Sequence, residues 1–392
     1  MTRARVTYKG AFHNAMNRGY DGKTIFFIFI FFIFIQFSYS QVNKRNIVQI
    51  WKTNKTKLTI PLNELIVLLK RDIIKPIDKP VFIDKNEAAK IFYEKEPVIA
   101  IEINNIAKAY PLGILSFHEI VNDEINGVKF FLNYCPLCNT CNVYSREVNF
   151  KGVKYILDFG TSGMLRKSNL VMWDRQTESW WQQITREAIV GEFSGVKLKQ
   201  LPSMLISVRQ FFTAHPNGKI LSPLPMKKKM KYGFNPYYKY DDINVKKPRL
   251  FFDKVDPRLP ALERVLGIDI KSQTKAYPYS KLRKERIIYD KINKQNIVIF
   301  YINGQVSAVD EKWIKDSKEV GTATVFLRKL HGKIINFKAN GGYFIDKSTN
   351  SKWDITGYCF DGKLKGERLI PIAYSVEFSF AWFAFYPNSS IY

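Results

Sequence analysis

The residues best equipped for chemistry fall in two short stretches, Ser116-Phe117-His118-Glu119 and Tyr134-Cys135-Pro136-Leu137-Cys138-Asn139-Thr140-Cys141. A C-P-x-C sequence at a tight turn supports two kinds of chemistry. In a metal knuckle, backbone N–H groups of the turn stabilise two thiolates that reach one soft ion, copper or zinc. Cys135, Cys138 and His118 are the candidate ligands, and Asn139 suits the left-handed position after the second cysteine. A closed zinc site needs four ligands, and a second C-x-x-C pair is absent. In a dithiol site, the same pair runs thiol redox chemistry, although such pairs normally open a helix and here a strand-like run follows. Nucleophilic catalysis is a third reading, with Cys135 as nucleophile, His118 as base and Glu119 or Asp123 as its orienting carboxylate. A plain disulfide or a buried structural pair is the bland alternative.

The elements that must position these groups are short β-branched or aromatic runs separated by Gly, Asn or Asp. Lys129–Tyr134 and Asn142–Val148 flank the cysteines, and Asn303-Gly304 reads as a hairpin turn between Asn296–Ile302 and Val306–Val309. Helical pattern is scarcer, at 62–70, 86–93, 112–121 and 208–214. These runs recur. Val98–Ile103 followed by Lys108-Ala109-Tyr110-Pro111 aligns without a gap on Val265–Ile270 followed by Lys275-Ala276-Tyr277-Pro278. Asp174–Trp181 and Asp346–Trp353 both read D-x-x-T-x-S-x-W. The expected class is α+β: two duplicated, mainly antiparallel β units with few short helices, in a pseudo-twofold arrangement. The expected division is a leader over 1–40, a helical lead-in over 41–97, a first unit over 98–216, a basic Tyr-rich connector over 217–264 and a second unit over 265–392.

The repeat acts as an internal control, since features present in both units read as architecture. Asp174 and Thr177 therefore read as a turn closed on backbone N–H groups, anchored by Trp181. The cysteine cluster occurs once: Cys135, Cys138, Cys141 and His118 face Ile302, Gln305, Ala308 and Glu285. Trp180 faces Lys352, so it is the candidate for an exposed contact with a saccharide, with Arg175 beside it for an anionic group.

The apolar run Ile25–Ile35, preceded by Arg18 and Lys23 and followed by Ser38-Tyr39-Ser40, has the layout of an export signal cut after Ser40. It is too short to cross a bilayer, so no transmembrane span is expected after cleavage, and the expected location is periplasmic or extracellular. Outside the cytoplasm nearby thiols oxidise or hold metal. The 392 residues are 46% hydrophobic and carry a net charge of +26, which excludes a disordered chain or an acidic tail protein. The charge fits an anionic envelope polymer or other envelope component, and no nucleic-acid module is present. Phosphate-loop and dinucleotide fingerprints are absent, and no paired carboxylates stand out for glycoside hydrolysis.

A-Y-P-L at 109–112, F-H-E-I-V-N-D at 117–123, Y-C-P-L-C-N at 134–139, F-G-T-S-G at 159–163 and S-N-L-V-M-W-D-R-Q-T-E-S-W-W at 168–181 occur in order, before F-A-W-F-A-F-Y-P at 380–387. This set resembles the domain-of-unknown-function family numbered 3179, over most of residues 60–392. The resemblance carries no activity. It implies that Cys135 is the most closely matched site position. The second cysteine is sometimes Thr in the family pattern, and Cys141 stands at a usually small apolar position.

Overall fold

The computed structural model describes residues 51–223, 230–271 and 273–392. The export signal and the lysines Lys227–Lys229 lie outside the described residues. Strand dominates, and the helices among the described residues are short, seven residues at most. None of them is long and apolar enough to cross a membrane.

Strands Pro97–Ile103 and Ile106–Pro111, helix Leu112–His118, and strands Ile120–Ile125 and Val128–Cys135 follow one another. The same order occupies Arg264–Ile270, Gln273–Pro278, Tyr279–Glu285, Ile287–Ile292 and Gln295–Ile302. Pairing is antiparallel within both series. Each series is completed by a strand, a seven-residue helix and a short parallel-paired strand: Met204–Ser207, Val208–Ala214 and Lys219–Leu221 in one, Ser375–Phe378, Ser379–Phe385 and Ser390–Ile391 in the other. The helices start where the sequence supplies N-terminal partners. Ser207 and Gln210 form a capping box for Val208–Ala214, and the Glu263 carboxylate accepts from Ser280 N–H at 2.8 Å.

The largest core cluster mixes both series, with Tyr110, Leu115 and Leu132 against Tyr277, Leu282 and Ile299. Crossing contacts are reciprocal. Met204–Ser207 packs on Thr322–Leu327 of the C-terminal series, and Ser375–Phe378 packs on Thr140–Ser145 of the N-terminal one. Arg186 binds Asp269 across the boundary at 2.7 Å, and Arg368 approaches Glu102 at 3.4 Å in the other direction.

The D-x-x-T-x-S-x-W elements are scaffold in both places. Asp174 accepts from Thr177 N–H and from Trp181 Nε1 at 2.7 and 2.8 Å. Asp346 accepts from Thr349 N–H at 2.7 Å, and its more distant Trp353 indole lies at 3.5 Å. Gly191 and Gly362 sit tightly on the serines of these turns, where a Cβ would come within 2.6 Å of Ser179 and 2.7 Å of Ser351.

Three local expectations change. Leu62–Lys70 is not a helix: a 3-10 turn at Leu62–Glu64 leads into strand Leu65–Val67, paired with Met164–Arg166. β-branched Ile66 and Val67 favour that extended backbone. The helical segment expected over 86–93 shortens to Lys85–Ala88, fixed by an Asp84 capping box. Asn303-Gly304 closes no hairpin. Gln295–Ile302 pairs instead with Thr322–Leu327, and Glu319 accepts from Gly304 and Gln305 N–H at that corner. Tight turns fall at Asn104-Asn105 and Asn293-Lys294, where both residues adopt positive φ.

Candidate functional site

Val128–Cys135 and Thr140–Ser145 form a hairpin whose four-residue connection is Pro136–Asn139. Cys138 N–H donates to Cys135 C=O at 3.2 Å, and Asn139 N–H donates to Pro136 C=O at 3.3 Å. Asn139 takes φ 54, the left-handed conformation expected of it. These turns fold Cys138 back beside Cys135. Both are buried and free. Both sulfurs face one acceptor, the carbonyl of Ser168, at 3.8 Å for Cys135 and 3.2 Å for Cys138. Ser168 is itself a turn residue with φ 65, and its hydroxyl donates to Arg249 C=O at 2.7 Å.

The two thiols differ in acidity. Burial pushes Cys135 up, but the Cys138 thiol and the backbone N–H groups of Cys138, Leu170 and Leu137 outweigh it and bring it below the ordinary thiol value. Cys138 moves well up, through burial and through its thiol neighbour Cys135. The arrangement is a pair of adjacent buried thiols of unequal acidity. Tyr237 and Tyr240 of the connector join the apolar cluster over the pair, and Tyr240 Oη donates to Leu137 C=O at 2.9 Å.

His118 does not join this pair. Its Nδ1 lies 2.7 Å from Lys75 C=O, which only accepts, so Nδ1 carries the proton and Nε2 accepts from Tyr232 Oη at 2.7 Å. Burial holds its pKa down. The ring is thus a neutral, fully engaged structural histidine, and neither a base for Cys135 nor a metal ligand in this geometry. Its neighbour Glu119 does address the pair. Helix Leu112–His118 ends there, and Glu119 takes φ 58. Burial and the Cys135 thiolate raise its carboxyl to about 8. The two residues separate because successive positions at a helix end point in different directions.

Among the described residues no group of three or more His, Cys, Asp or Glu side chains is arranged to hold a metal ion. The expected Cys135, Cys138 and His118 ligand set for copper or zinc is therefore not assembled, and the cysteine pair supplies only two of the four donors of a structural zinc site. Cys141 is buried with a raised pKa and serves as core, and Cys359 packs in the apolar cluster of the C-terminal segment.

Trp180 corrects another expectation. It is 0% exposed and packs edge-on against Trp51, so it offers no face to a saccharide. Its partner in the expected contact, Arg175, sits at the surface and pairs with Asp78 at 3.0 Å. Trp180 Nε1 has no hydrogen-bond partner, whereas Trp181 Nε1 donates to Asp174. Trp181→Phe is therefore expected to cost about 1–3 kcal/mol more than Trp180→Phe, because it strands a buried acceptor. Equal melting temperatures for the two variants would contradict this.

Two site residues escape inspection of the motif. Ser168 supplies only a carbonyl, for which sequence has no signal. Glu377 reaches the cysteines from the C-terminal segment. It is 0% exposed, and Phe378 N–H next to it donates to Cys138 C=O at 2.8 Å. A signal existed: Met204–Ser207 and Ser375–Phe378 correspond, and Glu377 stands where the former has Ile206.

No curated protein and no solved structure matches the chain. A family model described as "Protein of unknown function (DUF3179)" matches residues 71–389, a span that holds the dithiol, its Ser168 carbonyl and Glu377. The chain belongs to that DUF3179 family.

Proposed function

We propose that the protein is a thiol redox protein in which Cys135 and Cys138 cycle between dithiol and disulfide. The Cys135 thiolate attacks one sulfur of a low-molecular-weight disulfide, and the first substrate thiolate leaves. Cys138, once deprotonated, attacks the Cys135 sulfur. The mixed disulfide breaks, a Cys135–Cys138 bond forms, and the second substrate thiolate departs. Two electrons pass from the protein to the substrate. The observation that carries this reading is the turn that folds Cys138 back beside Cys135, with the Cys138 side chain and the backbone N–H groups of Cys138, Leu170 and Leu137 lowering the Cys135 pKa. Export under the Ile25–Ile35 signal would place the pair in an oxidising compartment.

The same reading takes the chain as two copies of one unit, 98–216 and 265–392, related by a pseudo-twofold. The matching element order of Pro97–Cys135 and Arg264–Ile302 supports it, as do the reciprocal Arg186–Asp269 and Arg368–Glu102 contacts. The copies are joined by the connector over 217–264 and preceded by the lead-in over 41–97. A second reading, binding of an anionic envelope polymer, draws on a groove of about 450 Å³ where Lys197 and Lys271 stand beside the Arg186–Asp269 pair, Phe385 and Tyr386.

The test is peptide mass mapping of the reduced protein after exposure to a small disulfide. The expected result is a Cys135–Cys138 disulfide in the native chain and a trapped adduct on Cys135 in Cys138→Ser. Adducts on Cys141 or Cys359 with none on Cys135 would contradict it.

A further inference from the structure

We infer that the groove holding Lys197 and Lys271 is a binding site for an acidic oligosaccharide, about two sugar rings seated with their acidic groups on the two lysines. This rests on the second reading above and deepens it by naming the ligand class and the residues that hold it. It is independent of the thiol chemistry.

The groove lies where the two segments meet. Arg186 and Lys197 come from the N-terminal segment, and Asp269, Lys271, Phe385 and Tyr386 from the C-terminal one, around a space of about 450 Å³. Small-ligand sites have volumes of that order. Arg186 holds Asp269 at 2.7 Å, and the Tyr386 hydroxyl donates to Ile184 C=O at 3.1 Å, so the ion pair and the ring are both fixed. Lys197 and Lys271 are exposed, and among the described residues neither forms an ion pair. Glu187 faces Lys197 across a strand bridge, yet it makes no ion pair with it and stands outside the groove wall. Within the wall, three cations meet a single carboxylate.

The corresponding corner of the other segment shows what the architecture needs. Leu198 N–H donates to Arg186 C=O, and Leu369 N–H donates to Gly357 C=O, each at 2.9 Å. Lys197 bridges Glu187 as Arg368 bridges Tyr358. Lys197 therefore corresponds to Arg368, and Arg186 to Gly357. The strand and helix order aligns Asp269 with Glu102, Lys271 with Asn104, Phe385 with Ala214 and Tyr386 with His215. At that other corner Arg368 approaches Glu102 at 3.4 Å, so cation and acid cancel, and burial holds His215 uncharged, its pKa down at about 4.

The groove departs from this balance in three ways. Arg186 stands where the other corner has Gly357 and takes the carboxylate, which leaves Lys197 free. Lys271 replaces Asn104 and adds a second free cation. Both adopt the same left-handed turn backbone, φ 46 and φ 50, which favours Asn over Lys, so the turn itself gives no reason for the lysine. Half-buried Phe385 and Tyr386 replace Ala214 and His215, which widens the aromatic wall. Charge and aromatic area are thus added where the architecture calls for neither. Two cations beside such a wall suit two anionic groups carried on a framework whose C–H faces lie against rings, which is an acidic sugar chain. A bare phosphate chain meets the charge and leaves the wall unused, and a neutral sugar does the reverse.

The test is calorimetric titration of the native protein at low ionic strength with digalacturonate, neutral digalactose, pyrophosphate and polygalacturonate. Native protein is expected to bind digalacturonate at least about 10-fold more tightly than digalactose or pyrophosphate. Lys197→Ala combined with Lys271→Ala is expected to weaken digalacturonate about 10-fold or more. Lys333→Ala combined with Lys338→Ala removes the same charge from exposed positions elsewhere and is expected to leave binding unchanged. With polygalacturonate still bound by native protein, any of four results would overturn the groove as the saccharide site and leave polymer binding standing. They are absence of digalacturonate binding, pyrophosphate or digalactose bound as tightly as digalacturonate, undiminished binding in the groove variant, and equal loss in the control variant. Failure of native protein to bind either galacturonate ligand would overturn the second reading itself.

Discussion

Cys135→Ser is expected to remove essentially all rapid reactivity of the protein toward disulfides, although three cysteines remain. The reason is electrostatic. The thiolate is the attacking form, and only Cys135 has its thiolate held by backbone N–H groups and a neighbouring thiol. Cys138, Cys141 and Cys359 are all shifted upward by burial. The rate of adduct formation should therefore fall at least about 10-fold, to that of thiols held protonated by burial. Cys138→Ser should retain adduct formation, at a rate reduced by loss of the donor that Cys138 offers to Cys135. Equal rates in native protein and Cys135→Ser would show that another sulfur reacts.

The second large effect is on stability as a function of pH. Glu96 is raised to about 7, and Glu119 and Glu377 to about 8, each chiefly by burial. A carboxyl with a folded pKa above its unfolded one binds its proton more tightly in the native state. Its stabilising contribution is complete below the unfolded value near 4.5 and disappears as pH rises through 7 to 8. Each pKa unit corresponds to about 1.4 kcal/mol, so Glu96 and Glu377 together amount to several kcal/mol, with Glu119 discounted for its partial exposure. Asp241, Asp290, Asp346 and Glu319 are shifted down and act oppositely, losing their contribution only as pH falls below about 4. The melting temperature should therefore peak on the acid side, near pH 5, and fall by roughly 10 °C towards pH 9. Glu377→Ile should flatten that decline. A melting temperature constant between pH 5 and pH 9 would contradict the burial of these carboxyls.

The Cys135/Cys138 pair was legible because a C-P-x-C turn between two strand-like runs leaves little freedom in how its sulfurs fold. Asn139 even takes the left-handed backbone its type favours. The D-x-x-T-x-S-x-W turns were legible because their hydrogen bonds are local and occur in two places. The helix Val208–Ala214 was likewise written in its own residues. What failed was long-range. His118 and Glu119 are adjacent in sequence, yet the chain end of their helix turns one towards Tyr232 and the other towards Cys135. The burial of Trp180 depends on Trp51, more than a hundred residues away. Glu377 reaches the cysteines only because strand Ser375–Phe378 crosses to the other segment.

Cys135 and Cys138 are adjacent buried thiols of unequal acidity. The pH dependence of alkylation of the fully reduced protein by a small neutral reagent, resolved cysteine by cysteine by mass analysis, reads that inequality. Cys135 is expected to be labelled first, with a midpoint below that of an ordinary thiol, and Cys138 only at higher pH. Coincident titration of the two, or labelling of Cys138 ahead of Cys135, would contradict it.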